Sequence, residues 1–205
     1  MRKSLQACCL ALGIVAASIA HAQQYELDLS RIDLSAIDPQ AAAAIGGDVL
    51  RRAPDPAIDD LFQAVHASSR TPREAALLCG LFEPDADRSM AALQRTVERM
   101  GPDSRERFAN AFVGVALAGL QGEPAAYDAA QARQALKATV VKAGFLHAGF
   151  SAGINASGDD AASREARCTA FGQLVDVLGN EPLETRALAT RWLLEQGLTL
   201  AVAAR

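Results

Sequence analysis

The stretch Thr71-Pro72-Arg73-Glu74-Ala75-Ala76-Leu77-Leu78-Cys79-Gly80-Leu81-Phe82 reads as a short helix with its own start signal. Thr71 stands at an N-cap position. Pro72 follows at the first helical position, where its missing N–H costs nothing, and Glu74 takes the capping-box position. Ala75, Leu78, Cys79 and Phe82 recur at three- and four-residue steps, so they share one face that a core can bury. A cysteine on that inward face makes the stretch a crosslinking point as well as a packing element.

The same signals recur along the chain. Gly101-Pro102 ends one helix, with Asp103 or Ser104 available to cap the next, and Asn180-Glu181-Pro182 opens another. Alanine, the best helix former, supplies 38 of the 183 residues after position 22, whereas valine and isoleucine together supply 15. Helices are expected near 39–52, 56–68, 72–82, 87–100, 104–121, 125–153, 160–178 and 182–203. The break after 153 rests on the turn formers Asn155-Ala156-Ser157-Gly158-Asp159. Met90, Leu93, Val97 and Met100 form one apolar seam, and Cys168, Phe171, Val175 and Leu178 form another. Phe108 to Leu120 is apolar nearly all round and reads as the central helix. The expected fold is an all-α helical bundle of about seven or eight helices over residues 39–205. It is closed by one disulfide and preceded by an extended N-terminal arm, 23–38, in which Tyr25, Leu27 and Leu29 alternate with acids.

Residues 1–22 read as a secretory signal. Arg2 and Lys3 are its basic start, Leu5 to Ile19 its apolar stretch, and Ala20-His21-Ala22 its cleavage site. The rival lipoprotein motif, Leu5-Gln6-Ala7-Cys8, leaves too few residues before Cys8 for an apolar region. Cleavage after Ala22 removes two cations and no acid, moving the net charge from −4 to −6. An acidic exported chain lacks the cationic footprint that nonspecific nucleic-acid binding needs. The expected compartment is the periplasm, and the expected chain is not integral to the membrane. Of the four cysteines, Cys8 and Cys9 leave with the signal, and Cys79 and Cys168 remain to form a disulfide in an oxidising compartment.

Several local patterns point toward chemistry. Gly149-Phe150-Ser151-Ala152-Gly153 matches the Gly-x-Ser-x-Gly nucleophile elbow, which requires a strand, a sharp turn and a helix, with the triad histidine later in the chain. Both remaining histidines, His66 and His147, precede Ser151, and the upstream residues read as helix. Gly144, Gly149 and Gly153 read instead as a small-residue face on one continuous helix, with Gly114 and Gly119 as the other half of a close contact. His147 sits among Phe145, Leu146 and Phe150 and reads as a hydrogen-bonded core histidine. His66 lacks a second histidine at helical spacing, although Asp59 and Asp60 lie a turn or two upstream. Asp85, Asp87 and Ser89 start a calcium-loop pattern that Met90 and Thr96 break, at the glycine and glutamate positions. Neither a metal nor a cofactor is expected.

Arg88, Arg95 and Arg99 fall in a narrow sector opposite the Met90–Met100 seam, and Arg105 and Arg107 extend the strip onto the next helix. Guanidinium groups displayed this way suit two-pronged pairing with carboxylates. The expected function is noncatalytic: an exported helical protein binding another protein or an envelope component, of inhibitor or immunity type. The alternatives are a carrier of an apolar small molecule between the small-residue helices, or a hydrolase using Ser151.

Overall fold

The computed structural model describes residues 39–123 and 127–203; the expected signal (1–22) and extended arm (23–38) lie outside the described residues. Nine helices and no strand occur among the described residues: α1 (Pro39–Arg52), α2 (Asp55–Ser69), α3 (Pro72–Gly80), α4 (Met90–Glu98), α5 (Pro102–Gln121), α6 (Ala129–Leu146), α7 (Phe150–Ile154), α8 (Ala161–Gly179) and α9 (Leu183–Ala203). The all-α bundle is as expected, and Cys79 on α3 is joined to Cys168 on α8 with Cα atoms 5.3 Å apart.

The centre of the bundle is α2, not α5. Its Leu61 and Ala64 pack with Leu78, Met100, Phe108 and Ala111; its Ile58 packs with Leu50, Val115 and Ala187; its Phe62 packs with Val175, Leu178 and Ala189. Helix α5 buries only Phe108, Ala111, Val115 and Gly119 of its apolar run, a single three-and-four-spaced stripe, and leaves Phe112, Leu117 and Leu120 exposed. Apolar composition around a helix is therefore a poor guide to burial where its neighbours, here α1 and α2, cover only one side.

The expected continuous helix 125–153 is broken. Asp128 caps the start of α6 by accepting the N–H groups of Ala130 and Gln131. At the other end His147 is extended and Gly149 adopts φ 84°, a left-handed conformation that a Cβ would penalise. The chain reverses there and sends Phe150 into a core of Ala143, Ala170 and Val177. The glycine contacts also differ from expectation. A Cβ on Gly119 would lie 2.4 Å from the Val49 carbonyl oxygen of α1, and one on Gly153 would lie 2.5 Å from that of Ala166 on α8. Gly114 meets nothing within 4 Å. Gly119 and Gly153 thus admit the backbones of two different helices, α1 and α8.

Glu74 does not cap its own helix, and the Thr71 side chain makes no cap hydrogen bond. The Glu74 carboxylate instead crosses to the start of α5, accepting the Gly101 N–H at 2.8 Å and the Ser104 hydroxyl at 2.6 Å. Ser68 of α2 and Arg107 both donate to that same Ser104 oxygen. Three helices therefore meet at one buried carboxylate, placed where the α5 dipole favours negative charge. Burial pushes the Glu74 pKa up, but the Ser104 hydroxyl, the Gly101 N–H, Ser68 and Arg107 outweigh it and hold the carboxyl below its ordinary value. The resulting stabilisation is complete above the ordinary carboxylate range and is lost as pH falls through the lowered folded-state value. Glu74→Gln should cost about 1–3 kcal/mol near neutral pH. It should also flatten the acid side of a plot of denaturant midpoint against pH. An unchanged acid limb would remove Glu74 as its source.

Candidate functional site: the groove between α3 and α4

The segment between α3 and α4 is short and irregular because Arg88 organises it. The Arg88 guanidinium donates to the carbonyl oxygens of Leu81 (3.0 Å), Glu83 (2.6 Å) and Ala86 (3.4 Å), gathering the turn around one cation. Helix α4 accordingly begins at Met90 rather than 87, with the Ser89 hydroxyl accepting the Ala92 N–H as its cap. Between this turn, α3 and α4 lies an open groove of about 490 Å³, floored by Ala76, Leu77, Leu81 and Ala86. Arg73 and Arg99 stand at its rim, both exposed. Arg73 donates to the Arg99 carbonyl oxygen at 3.2 Å, while the Arg99 guanidinium has no hydrogen-bond or ion-pair partner among the described residues.

Asp87, at the same rim, tempers this positive charge. It accepts the Ser89 N–H at 2.9 Å and pairs with Arg95 at 3.3 Å. Hydrogen bonds from Ser89, with Arg95 adding less, hold the Asp87 carboxyl below its ordinary value. With Asp87 matched by Arg95, the rim keeps two unmatched guanidinium groups in a chain of formal charge −4.

The five arginines expected to form a strip separate into two groups. Arg95 and Arg99 reach the surface beside the groove. Arg88 is consumed by the turn, Arg105 donates to the Glu98 and Met100 carbonyl oxygens at the end of α4, and Arg107 donates to Ser104. Arg73, which the sequence reading passed over, faces Arg99 only through the folding of α3 against the end of α4. Its local signal was weak, because its position beside Pro72 reads as helix initiation.

None of the remaining motif residues lines this groove. Ser151 lies exposed on α7, after a helix and a glycine turn rather than a strand, and no non-glycine residue has positive φ among the described residues. Its hydroxyl has no hydrogen-bonded base among the described residues. His147 is half-buried at the end of α6 without a side-chain hydrogen bond, and its neighbours Phe145 and Leu146 are exposed, contrary to the core position expected. His66 stacks on Phe62 and lies 3.1 Å from Asp176. Asp59 is turned away from it to pair through both oxygens with Arg186 of α9. Among the described residues no three His, Cys, Asp or Glu side chains are placed to share a metal ion.

Compared with known proteins, the chain matches no family model, no curated protein and no solved structure.

Proposed function

We propose that this is an exported, noncatalytic binding protein that holds an acidic segment of another protein in the α3–α4 groove. The observation that carries the reading is the pairing of the two rim guanidinium groups, Arg73 and Arg99, with an apolar floor. Arginine forks match carboxylates in two-pronged geometry, and the alanine and leucine floor offers apolar area to side chains between the acids. In a chain of formal charge −4, long-range attraction of an acidic segment is confined to cationic patches such as this rim. Export rests on residues 1–22, and secreted material should begin at Gln23 by mass spectrometry.

Charge reversal tests the groove. Arg73→Glu with Arg99→Glu removes both rim cations while leaving the core and the Arg88 turn intact. The circular dichroism spectrum should be unchanged, and binding of the natural partner or of glutamate–leucine peptides should weaken by on the order of tenfold or more, most at low salt. Undiminished binding by the doubly reversed protein would overturn the assignment to this groove.

A further inference from the structure

We infer that the outer face of α6 is a docking surface for an anionic lipid surface, separate from the α3–α4 groove. Between Asp128 and Asp159 the chain carries no acidic residue, although it has 24 acids in all. Within that interval α6 carries Arg133, Lys137 and Lys142. Arg133, Lys137, Val141 and Phe145 follow one another at four-residue steps, and all four are exposed. Such a row runs along one side of a helix. The inward side is occupied by Ala132, Thr139 and Ala143, which are buried.

The row changes character along its length. Arg133 and Lys137 have no ion-pair partner among the described residues, whereas Lys142 is matched by Glu181 at 2.7 Å. Beyond them the helix ends in side chains that face water: Val141 is 58%, Leu146 61% and Phe145 87% exposed. Ile154, on the short α7 that turns back from that end, is exposed as well. Two unmatched cations followed by an exposed phenylalanine and leucine suit contact with a bilayer surface. The cations meet headgroup phosphates and the apolar tip enters the boundary with the acyl chains.

The charge also selects among occupants. Two copies of this chain meeting through α6 would oppose like charges, and an acidic lipid surface would not. The apolar side chains stand at a helix end, which suits insertion into a fluid layer. Attachment of this kind is peripheral, and none of the described helices is long and apolar enough to cross a membrane.

Flotation with vesicles of phosphatidylglycerol and phosphatidylcholine, against vesicles of phosphatidylcholine alone, tests the inference. The protein should float with the anionic vesicles at low salt and leave them as salt rises. Phe145→Ser with Leu146→Ser, and separately Arg133→Gln with Lys137→Gln, should each reduce binding by about tenfold or more without changing the circular dichroism spectrum. The matched charge change at the groove, Arg73→Gln with Arg99→Gln, should weaken vesicle binding far less than Arg133→Gln with Lys137→Gln does, which keeps this surface distinct from the groove. Absence of binding to anionic vesicles at low salt would overturn the inference, as would equal binding by the α6 variants. Sedimentation velocity showing a dimer that the Phe145→Ser, Leu146→Ser variant abolishes would assign the face to a second copy and overturn it too.

Discussion

Arg191→Leu is expected to lower the stability of the fold by about 2–4 kcal/mol. Arg191 on α9 is the largest fully buried side chain among the described residues. Its guanidinium donates to the carbonyl oxygens of Leu50 and Ala53, where α1 ends, and to the Asp55 carboxylate at 2.7 Å, where α2 begins. The Tyr127 ring lies 5.8 Å away across its face. One cation therefore satisfies acceptors on both sides of the α1–α2 turn, and leucine would leave two carbonyls and a carboxylate without it. The urea midpoint should fall with little change in the slope. Because a domain of this size is stable by only about 5–15 kcal/mol, Arg191→Lys is the companion variant. Lysine restores the charge but not the fork, so its midpoint should lie between those of leucine and arginine. A leucine variant as stable as the unaltered protein would show that Arg191 is replaceable by apolar packing.

Arg191 marks where sequence reading reaches its limit. Boundaries written in short-range chemistry were legible: Pro72 and Pro102 start their helices, and Asn155 to Asp159 falls between α7 and α8. These residues act through φ restriction or through bonds within four positions, so neighbouring letters suffice. The break at Gly149 was not legible, because a glycine between Ala148 and Phe150 has the same local pattern whether it packs against a neighbour or turns the chain. Glu74 was recognised as a helix-start acid but assigned to the wrong helix. Nothing between Thr71 and Glu74 reports that Gly101 lies 2.8 Å from its carboxylate.

The arginines show the same division at the candidate site. Arg95, Arg99, Arg105 and Arg107 are all exposed, but spacing could not report that Arg88 is drawn into the turn or that Arg105 and Arg107 also bond across to other parts of the fold. Those three are set apart by their acceptors, which are carbonyls at helix ends and a serine bound to a distant glutamate. Such acceptors exist only once the elements have packed. A guanidinium drawn into the fold, as Arg88 is by three carbonyl oxygens, is a tie, and an exposed one with most of its donors unused is available to a partner. Arg99 belongs to the second class and Arg88 to the first, although they are one residue type in one short stretch.

Removing the Cys79–Cys168 bond is expected to cost roughly 4–5 kcal/mol in the chain-entropy model, since it closes a separation of 89 positions. The bond fastens α3 to α8, and two other contacts cross the same seam. Arg167 of α8 pairs with Glu83, just past α3, and also donates to the carbonyl oxygens of Ala156 and Gly158. The Phe82 and Phe171 rings meet with centroids 4.7 Å apart. These contacts should keep the reduced protein folded in the absence of denaturant while its midpoint drops. Reductant should therefore lower the midpoint of the unaltered protein and leave that of a Cys79→Ala, Cys168→Ala variant unchanged. Thiol labelling of the oxidised, denatured chain, mapped by peptide, should leave both positions unmodified. Because the ion pair and the crosslink share one seam, their losses should not add: Glu83→Gln should be tolerated better with the bond intact than after reduction. A reductant-insensitive midpoint would mean that the α3–α8 seam is held by the arginine and the rings alone.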